Sequence, residues 1–99
     1  LSDINTSVKY IANILNLNPD YIGRVFKDIM HLSVGNYIIK RRIEIASSRL
    51  RETNLSIKEI SNQCGFGSVR QFYHHFKIST GKTPNQYREE SSIIQINGL

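Results

Sequence analysis

Apolar residues recur along this chain at helical spacing, in two short blocks separated by a longer one. Val8, Ile11, Ala12 and Leu15 follow the i, i+3, i+4, i+7 rhythm of one helix face, with Ser7 placed to cap it. Asn16-Leu17-Asn18 breaks the rhythm. Pro19, suited to the first position of a helix, restarts it with Asn18 as cap, and Ile22, Val25, Phe26 and Ile29 form the next stripe. The second block opens on Ser56-Ile57-Lys58-Glu59, a capping-box signature in which Glu59 reaches back to the cap. Ile57, Ile60 and Cys64 form its inner face, Gly65-Phe66-Gly67 supplies a turn, and Phe72 and Phe76 anchor the following helix. A short helix, a tight turn around a buried Leu17 or Phe66, and a second helix together describe a helix-turn-helix.

The two blocks are copies of each other. A shift of 49 residues places Ser7-Val8-Lys9 on Ser56-Ile57-Lys58, Ile11 on Ile60 and Leu17 on Phe66. After one inserted residue the shift becomes 50, placing Ile22 on Phe72, Phe26-Lys27 on Phe76-Lys77, Ser33 on Thr83 and Tyr37 on Tyr87. Between the copies, Val34 to about Thr53 lacks proline. There Ile39, Ile43, Ala46 and Leu50 lie on one stripe, and Ile38 and Ile45 on another. Two stripes predict a linker helix that packs against both copies. About 18 to 20 residues at 1.5 Å each span roughly 27–30 Å, close to the roughly 34 Å between successive major-groove faces of a duplex.

Composition narrows the partner. The 99 residues carry thirteen Lys and Arg against eight Asp and Glu, a formal net charge of +5. A basic excess favours a polyanion, either nucleic acid or an acidic membrane surface. The apolar fraction of 39% supports a globular core. Cys64 is the single cysteine and has no internal disulfide partner, so a reducing cytoplasm is the expected setting. No apolar run approaches the roughly 18 residues that cross a bilayer, and no signal peptide is visible. The chain opens on Leu1 and reads as the C-terminal portion of a longer protein.

Ile60-Ser61-x-x-Cys64-Gly65-Phe66, followed by Phe72-x-x-x-Phe76-Lys77-x-x-x-Gly81-x-Thr83-Pro84-x-x-Tyr87-Arg88, resembles the signature of the AraC/XylS family of bacterial transcription regulators. Arg42-x-x-x-Ala46-x-x-x-Leu50 is similar to the family's linker helix, and Asn18-Pro19-x-Tyr21-Ile22-x-Arg24-x-Phe26-Lys27 to its first reading helix. The likeness covers roughly residues 4 to 88. It implies an all-α fold of two homeodomain-like, three-helical helix-turn-helix subdomains, residues 1–32 and 54–88, joined by a linker helix over 33–53 and followed by a tail over 89–99. It also implies a bracing role for Arg42; members of the family generally carry one more helix ahead of Ser7 that covers the first subdomain, and residues 1–32 are expected to lack it. The chain departs from the pattern with His31 for glycine, Val34 for proline and Ser61 for alanine.

Residues opposite the apolar stripes face outward: Asp20, Gly23, Arg24 and Lys27 on the first reading helix, and Arg70, Tyr73, His74 and Lys77 on the second. The resemblance points to the same faces for base contact. Arg24 and Arg70 are the leading candidates, since a guanidinium bonds guanine O6 and N7 together; the alternative is an arginine lying on a phosphate. Tyr73 and His74 suit a thymine methyl, a phosphate or bare solvent. Val69 suits a thymine methyl or packing. Gly23 presents no side chain, and either admits a close backbone approach or marks a unit that reads few bases. Asp20 can accept from cytosine N4, but an acid in a first helical turn more often serves the helix dipole. Lys27, Lys77, Lys82, Lys40, Arg41 and the caps Ser7 and Ser56 are candidate phosphate contacts. His75 falls on Val25 and is expected in the core.

No enzyme, metal or cofactor is expected. Cys64 sits at an apolar position, and His31, His74 and His75 lack spaced ligands for zinc. The expected partner is double-stranded DNA. The resemblance adds RNA polymerase and an N-terminal sensory domain, and no membrane; a monomer is expected for these residues. The rival is a helical protein-interaction module, which predicts an exposed apolar patch.

Overall fold

The breaks in the apolar rhythm fall where helices end, and the geometry of those ends repeats from one copy to the other. The computed structural model describes residues 4–97, with side chains over 9–92. Among the described residues there are six helices and no strand: α1 (Ile4–Leu15), α2 (Pro19–Met30), α3 (Val34–Glu52), α4 (Ile57–Gln63), α5 (Val69–Thr80) and α6 (Pro84–Asn97). The fold is all-α, as the periodicity predicts.

Helix α1 stops at Asn16, which turns left-handed at φ 55°. Leu17 N–H then donates to the Ala12 carbonyl at 2.9 Å and Asn16 N–H to that of Asn13 at 3.2 Å. Helix α4 stops in the same way at Gly65, φ 85°, with Phe66 N–H on the Ser61 carbonyl at 3.0 Å and Gly65 N–H on that of Asn62 at 3.2 Å. These paired Schellman closures satisfy carbonyls that a helix end leaves open, and they are the turns of the two helix-turn-helix units. Helices α2 and α5 share a simpler stop. His31 at φ 59° and Gly81 at φ 77° donate to the carbonyls of Lys27 and Lys77, both at 2.8 Å.

The starts are capped by side chains. Asn18 Oδ1 accepts from Asp20 N–H at 2.8 Å, Ser56 Oγ from Glu59 N–H at 3.1 Å, and Ser68 Oγ from Gln71 N–H at 3.1 Å. Ser33 and Thr83, matched by the repeat, cap α3 and α6. At Thr83 the box is reciprocal, because Thr83 N–H donates to Gln86 Oε1 at 3.0 Å. Ser7, in contrast, is no cap. Helix α1 begins at Ile4 because its apolar rhythm runs back through Val8 to Ile4, which places Ser7 inside the helix and removes the argument for a phosphate at its N–H groups. Residues 89–97, expected as a tail, continue α6, with no glycine or proline to stop it before Gly98.

The chain divides into two compact units, Leu1–Lys40 and Arg41–Leu99, and the boundary lies within α3. In the first unit Ala12 is buried, and Ile22, Val25, Phe26, Ile38 and Ile39 are half-buried. The Phe26 and Tyr37 rings meet edge to face at 5.3 Å. Leu17, expected inside its turn, is 47% exposed, whereas Phe66 at the matching position is 8% exposed. Phe66 has an aromatic partner, Phe72, with centroids at 5.0 Å; the residue matched to Phe72 is Ile22, so Leu17 has no such ring to pack on.

The second unit holds the larger core: Ile43, Ala46 and Leu50 from α3, Ile60 and Cys64 from α4, Phe66 from the turn, and Phe72 and Phe76 from α5. An edge-to-face chain runs from Phe72 to Phe76 at 5.6 Å and on to Tyr87 at 5.4 Å. Ile45, placed by sequence on a second buried stripe, is exposed. It stands two residues from the inward Ile43, roughly 200° around the helix. Ser61 is fully buried, and its hydroxyl donates to the Ser68 carbonyl at 3.3 Å, tying α4 to the start of α5.

Candidate nucleic-acid interface

Buried Phe72 and Phe76 fix which side of α5 faces out. Arg70, His74 and Lys77 stand exposed there, with Tyr73 half-buried at the flank and Val69 half-buried at the first turn. Arg70 and Lys77 have no hydrogen-bond or ion-pair partner among the described residues. Tyr73 is engaged: its Oη accepts a hydrogen bond from Asn85 Nδ2 at 3.0 Å. His75, expected in the core, is half-buried, with its ring stacked on Phe66 at 6.1 Å. The departure follows from its place at the margin of the Phe66–Phe72 cluster, where a polar ring keeps one edge in water. Burial, seconded by the neighbouring His74, pushes its pKa down.

On α2 the exposed residues are Asp20, Arg24 and Lys27. Asp20 sits in the first turn with its N–H held by Asn18, the arrangement that serves the helix dipole. Gly23 is half-buried and helical, and a Cβ built on it would meet nothing within 4 Å. No protein contact therefore requires glycine at this position.

The remaining candidate cations differ in company. Lys40 is exposed. Arg41 pairs with Glu44 at 2.6 Å, and Lys82 pairs with Glu90. Exposed pairs of this kind contribute about 0–1 kcal/mol, so a phosphate can replace the carboxylate at little cost. Ser56 is exposed and occupied as the α4 cap. The structure thus gathers Arg70, Tyr73, His74 and Lys77 on one helix face, and Asp20, Gly23, Arg24 and Lys27 on the matching face of the other unit. It leaves Ser56, Lys82, Lys40 and Arg41 off both reading helices. Cys64 is buried; burial pushes its thiol pKa up against the opposing pull of Arg49 and Arg42, which leaves it a poor nucleophile.

A family model described as a helix-turn-helix domain matches residues 11–90. The chain is 37% identical over 83 residues to the Msm operon regulatory protein of Streptococcus mutans, covering 84% of this chain and 30% of that regulator. It belongs to the AraC/XylS family of transcription regulators. Among solved structures, the C-terminal domain of AraT, a response regulator from Geobacillus stearothermophilus, superposes with TM-score 0.79 at 34% identity, over 84% of this chain and 69% of that one. The DNA-binding domain of AdpA, solved in complex with a target DNA, shares the fold with TM-score 0.78 at 21% identity, over 90% and 93% of the two chains. The chain spans less than a third of the Msm regulator's length.

Two of the three departures from the AraC/XylS pattern, His31 and Ser61, have physical accounts. His31 occupies the left-handed stop that Gly81 fills in the second unit, and Ser61 turns a core position into a hydrogen bond across the turn. Arg42 braces the second turn, since its guanidinium lies over Gly65, where a Cβ would meet Arg42 Nε at 3.2 Å. Two side chains escaped sequence reasoning. Arg88 donates from Nε to the Leu50 carbonyl and from a terminal guanidinium nitrogen to that of Thr53, each at 3.2 Å, satisfying carbonyls at the end of α3. Asn85 reaches Tyr73 from α6. The Thr83-x-x-Gln86 box that starts α6 is a signal legible in sequence; no local pattern announces the Tyr73–Asn85 pair.

Proposed function

We propose that this domain binds double-stranded DNA in a sequence-specific manner, as the output part of a bacterial transcription regulator, with α2 and α5 read into major-groove segments. The observation that carries this is the outward faces of α2 and α5, the second helices of two helix-turn-helix units. They hold Arg24, Lys27, Arg70 and Lys77 exposed, with no protein partner among the described residues. Arg24 and Arg70 take bases and His74 assists. Lys27, Lys77, Lys40, Arg41 and Lys82 take phosphates, and preferred bases about 10 base pairs apart are expected in a selected site. The net charge of +5 and the family membership support this reading. An N-terminal sensory domain, RNA polymerase as a further partner, a cytoplasmic setting and a monomeric state for these residues belong to the same proposal. Among the described residues no helix is long and apolar enough to cross a membrane.

A second reading has its own observation. Tyr10, Ile14, Leu15 and Ile29 of the first unit are large, apolar and exposed, which suits a protein-docking surface. A salt series separates the readings. Neutralising several phosphates costs a binder about 10² or more in affinity between 50 and 200 mM salt, whereas apolar docking is nearly salt-independent. Absence of duplex binding at low salt overturns the DNA reading.

A further inference from the structure

Tyr73 is held by a second helix. Asn85, in the first turn of α6, donates Nδ2–H to Tyr73 Oη at 3.0 Å. A phenol carries one donor and two acceptor lone pairs. With the amide filling a lone pair, the O–H proton has no acceptor among the described residues and is left for an outside group.

The surroundings favour an anion as that group. Lys77, exposed and without a partner among the described residues, lies one turn along α5 on the same side. The first turn of α6 presents the positive end of its dipole, and the Asn85 amide has a second N–H to offer. Tyr73 stands roughly 60° around the helix from Arg70. A side chain at the flank of a helix seated in a groove meets the groove wall, which is sugar and phosphate. The first unit supplies an internal comparison: one repeat earlier, Tyr73 and Asn85 are both glycine, Gly23 and Gly35. The pair is present as a pair in one unit and absent as a pair from the other.

Resting on the DNA-binding reading above, we propose that Asn85 is a positioning residue that holds the Tyr73 phenol so that its O–H donates to a backbone phosphate oxygen, in the second unit alone. The test uses a duplex selected from a random pool and a scrambled duplex of the same composition, across a salt series, with melting of each variant measured alongside. Tyr73→Phe lowers affinity about tenfold or more on both duplexes, the size of one hydrogen bond to a charged acceptor, and leaves the salt slope unchanged because no cation is lost. Asn85→Ala lowers it by a similar factor. The double variant loses no more than the larger single loss, since both changes remove one contact. Asn85→Asp, whose carboxylate accepts the hydrogen bond of the phenol O–H and repels phosphate, loses more than Asn85→Ala. Losses that add, a lowered melting point with unchanged affinity, or a loss confined to the selected duplex overturn the proposal while leaving DNA binding intact. An unaltered chain that binds neither duplex overturns both.

Discussion

Gly65 and Gly81 share a backbone conformation but not surroundings, and the difference isolates what Arg42 does. Gly65 sits at φ 85°, and a Cβ there meets Arg42 Nε at 3.2 Å and Cζ at 3.3 Å; Gly81 sits at φ 77°, and a Cβ there meets nothing within 4 Å. Left-handed backbone costs an L-residue about 1–2 kcal/mol, and Gly→Ala returns about 0.4–1 kcal/mol by stiffening the unfolded chain. Gly81→Ala should therefore destabilise the second unit by about 1 kcal/mol. Gly65→Ala must also displace a half-buried guanidinium by a few tenths of an ångström, an overpacking term of about 1 kcal/mol, for about 2 kcal/mol in all. In an Arg42→Ala background the extra term vanishes, and Gly65→Ala then costs what Gly81→Ala costs. Native-state hydrogen exchange of the α5 amides in urea reads the second unit by itself. Equal costs for the two alanines, or a Gly65→Ala cost that persists undiminished without Arg42, refute the reasoning.

His31 offers the converse change. Glycine at its φ of 59° relieves left-handed strain, so His31→Gly should stabilise the first unit by about 0.5–1 kcal/mol, read from exchange of the α2 amides; a loss of protection counts against it. The half-buried His75 gives a pH dependence. Because its folded pKa is depressed, the unfolded chain binds the proton more readily. Its contribution is full above an unfolded pKa of about 6.5 and is lost as pH falls from there through the folded value. Thermal melts between pH 5 and 8 should show this slope in the second unit and a shallower one in His75→Gln; identical slopes rule it out.

Element order and turns were legible because each depends on neighbours in sequence. Pro19 after Asn18, glycine at Gly65 and Gly81, and apolar residues at helical spacing are local signals of caps, stops and faces. What sequence concealed depends on partners brought together by folding. Leu17 looked equivalent to Phe66, and only the aromatic partner Phe72 makes the second position a core one. Ser7 looked like a cap because serine caps helices, yet Ile4 and Val8 extend the stripe past it. On the site, exposure of Arg24, Arg70, His74 and Lys77 followed from the stripes. The hold of Asn85 on Tyr73 joins residues of different helices, and so do the bonds of Arg88 to α3.

The repeat separates what the backbone conserves from what the side chains change. Both units close their turns with the same pair of carbonyl bonds, through Asn16 in one and Gly65 in the other, so the turn survives a change of residue at its left-handed position. The cores diverge around that constant frame. Ile11 is 48% exposed where its counterpart Ile60 is fully buried. In the second unit α3 reaches α4 and its turn, through Arg49 on Gln63 and Arg42 over Gly65. The reading faces diverge in the same sense: the second unit offers Arg70, Tyr73 and His74 on a helix anchored by two buried phenylalanines, and the first offers Arg24 beside an open Gly23 on a helix with no fully buried side chain. Rigid placement of base-contacting side chains requires the former arrangement. Sequence discrimination should therefore concentrate in the half-site read by α5, while α2 contributes chiefly to affinity.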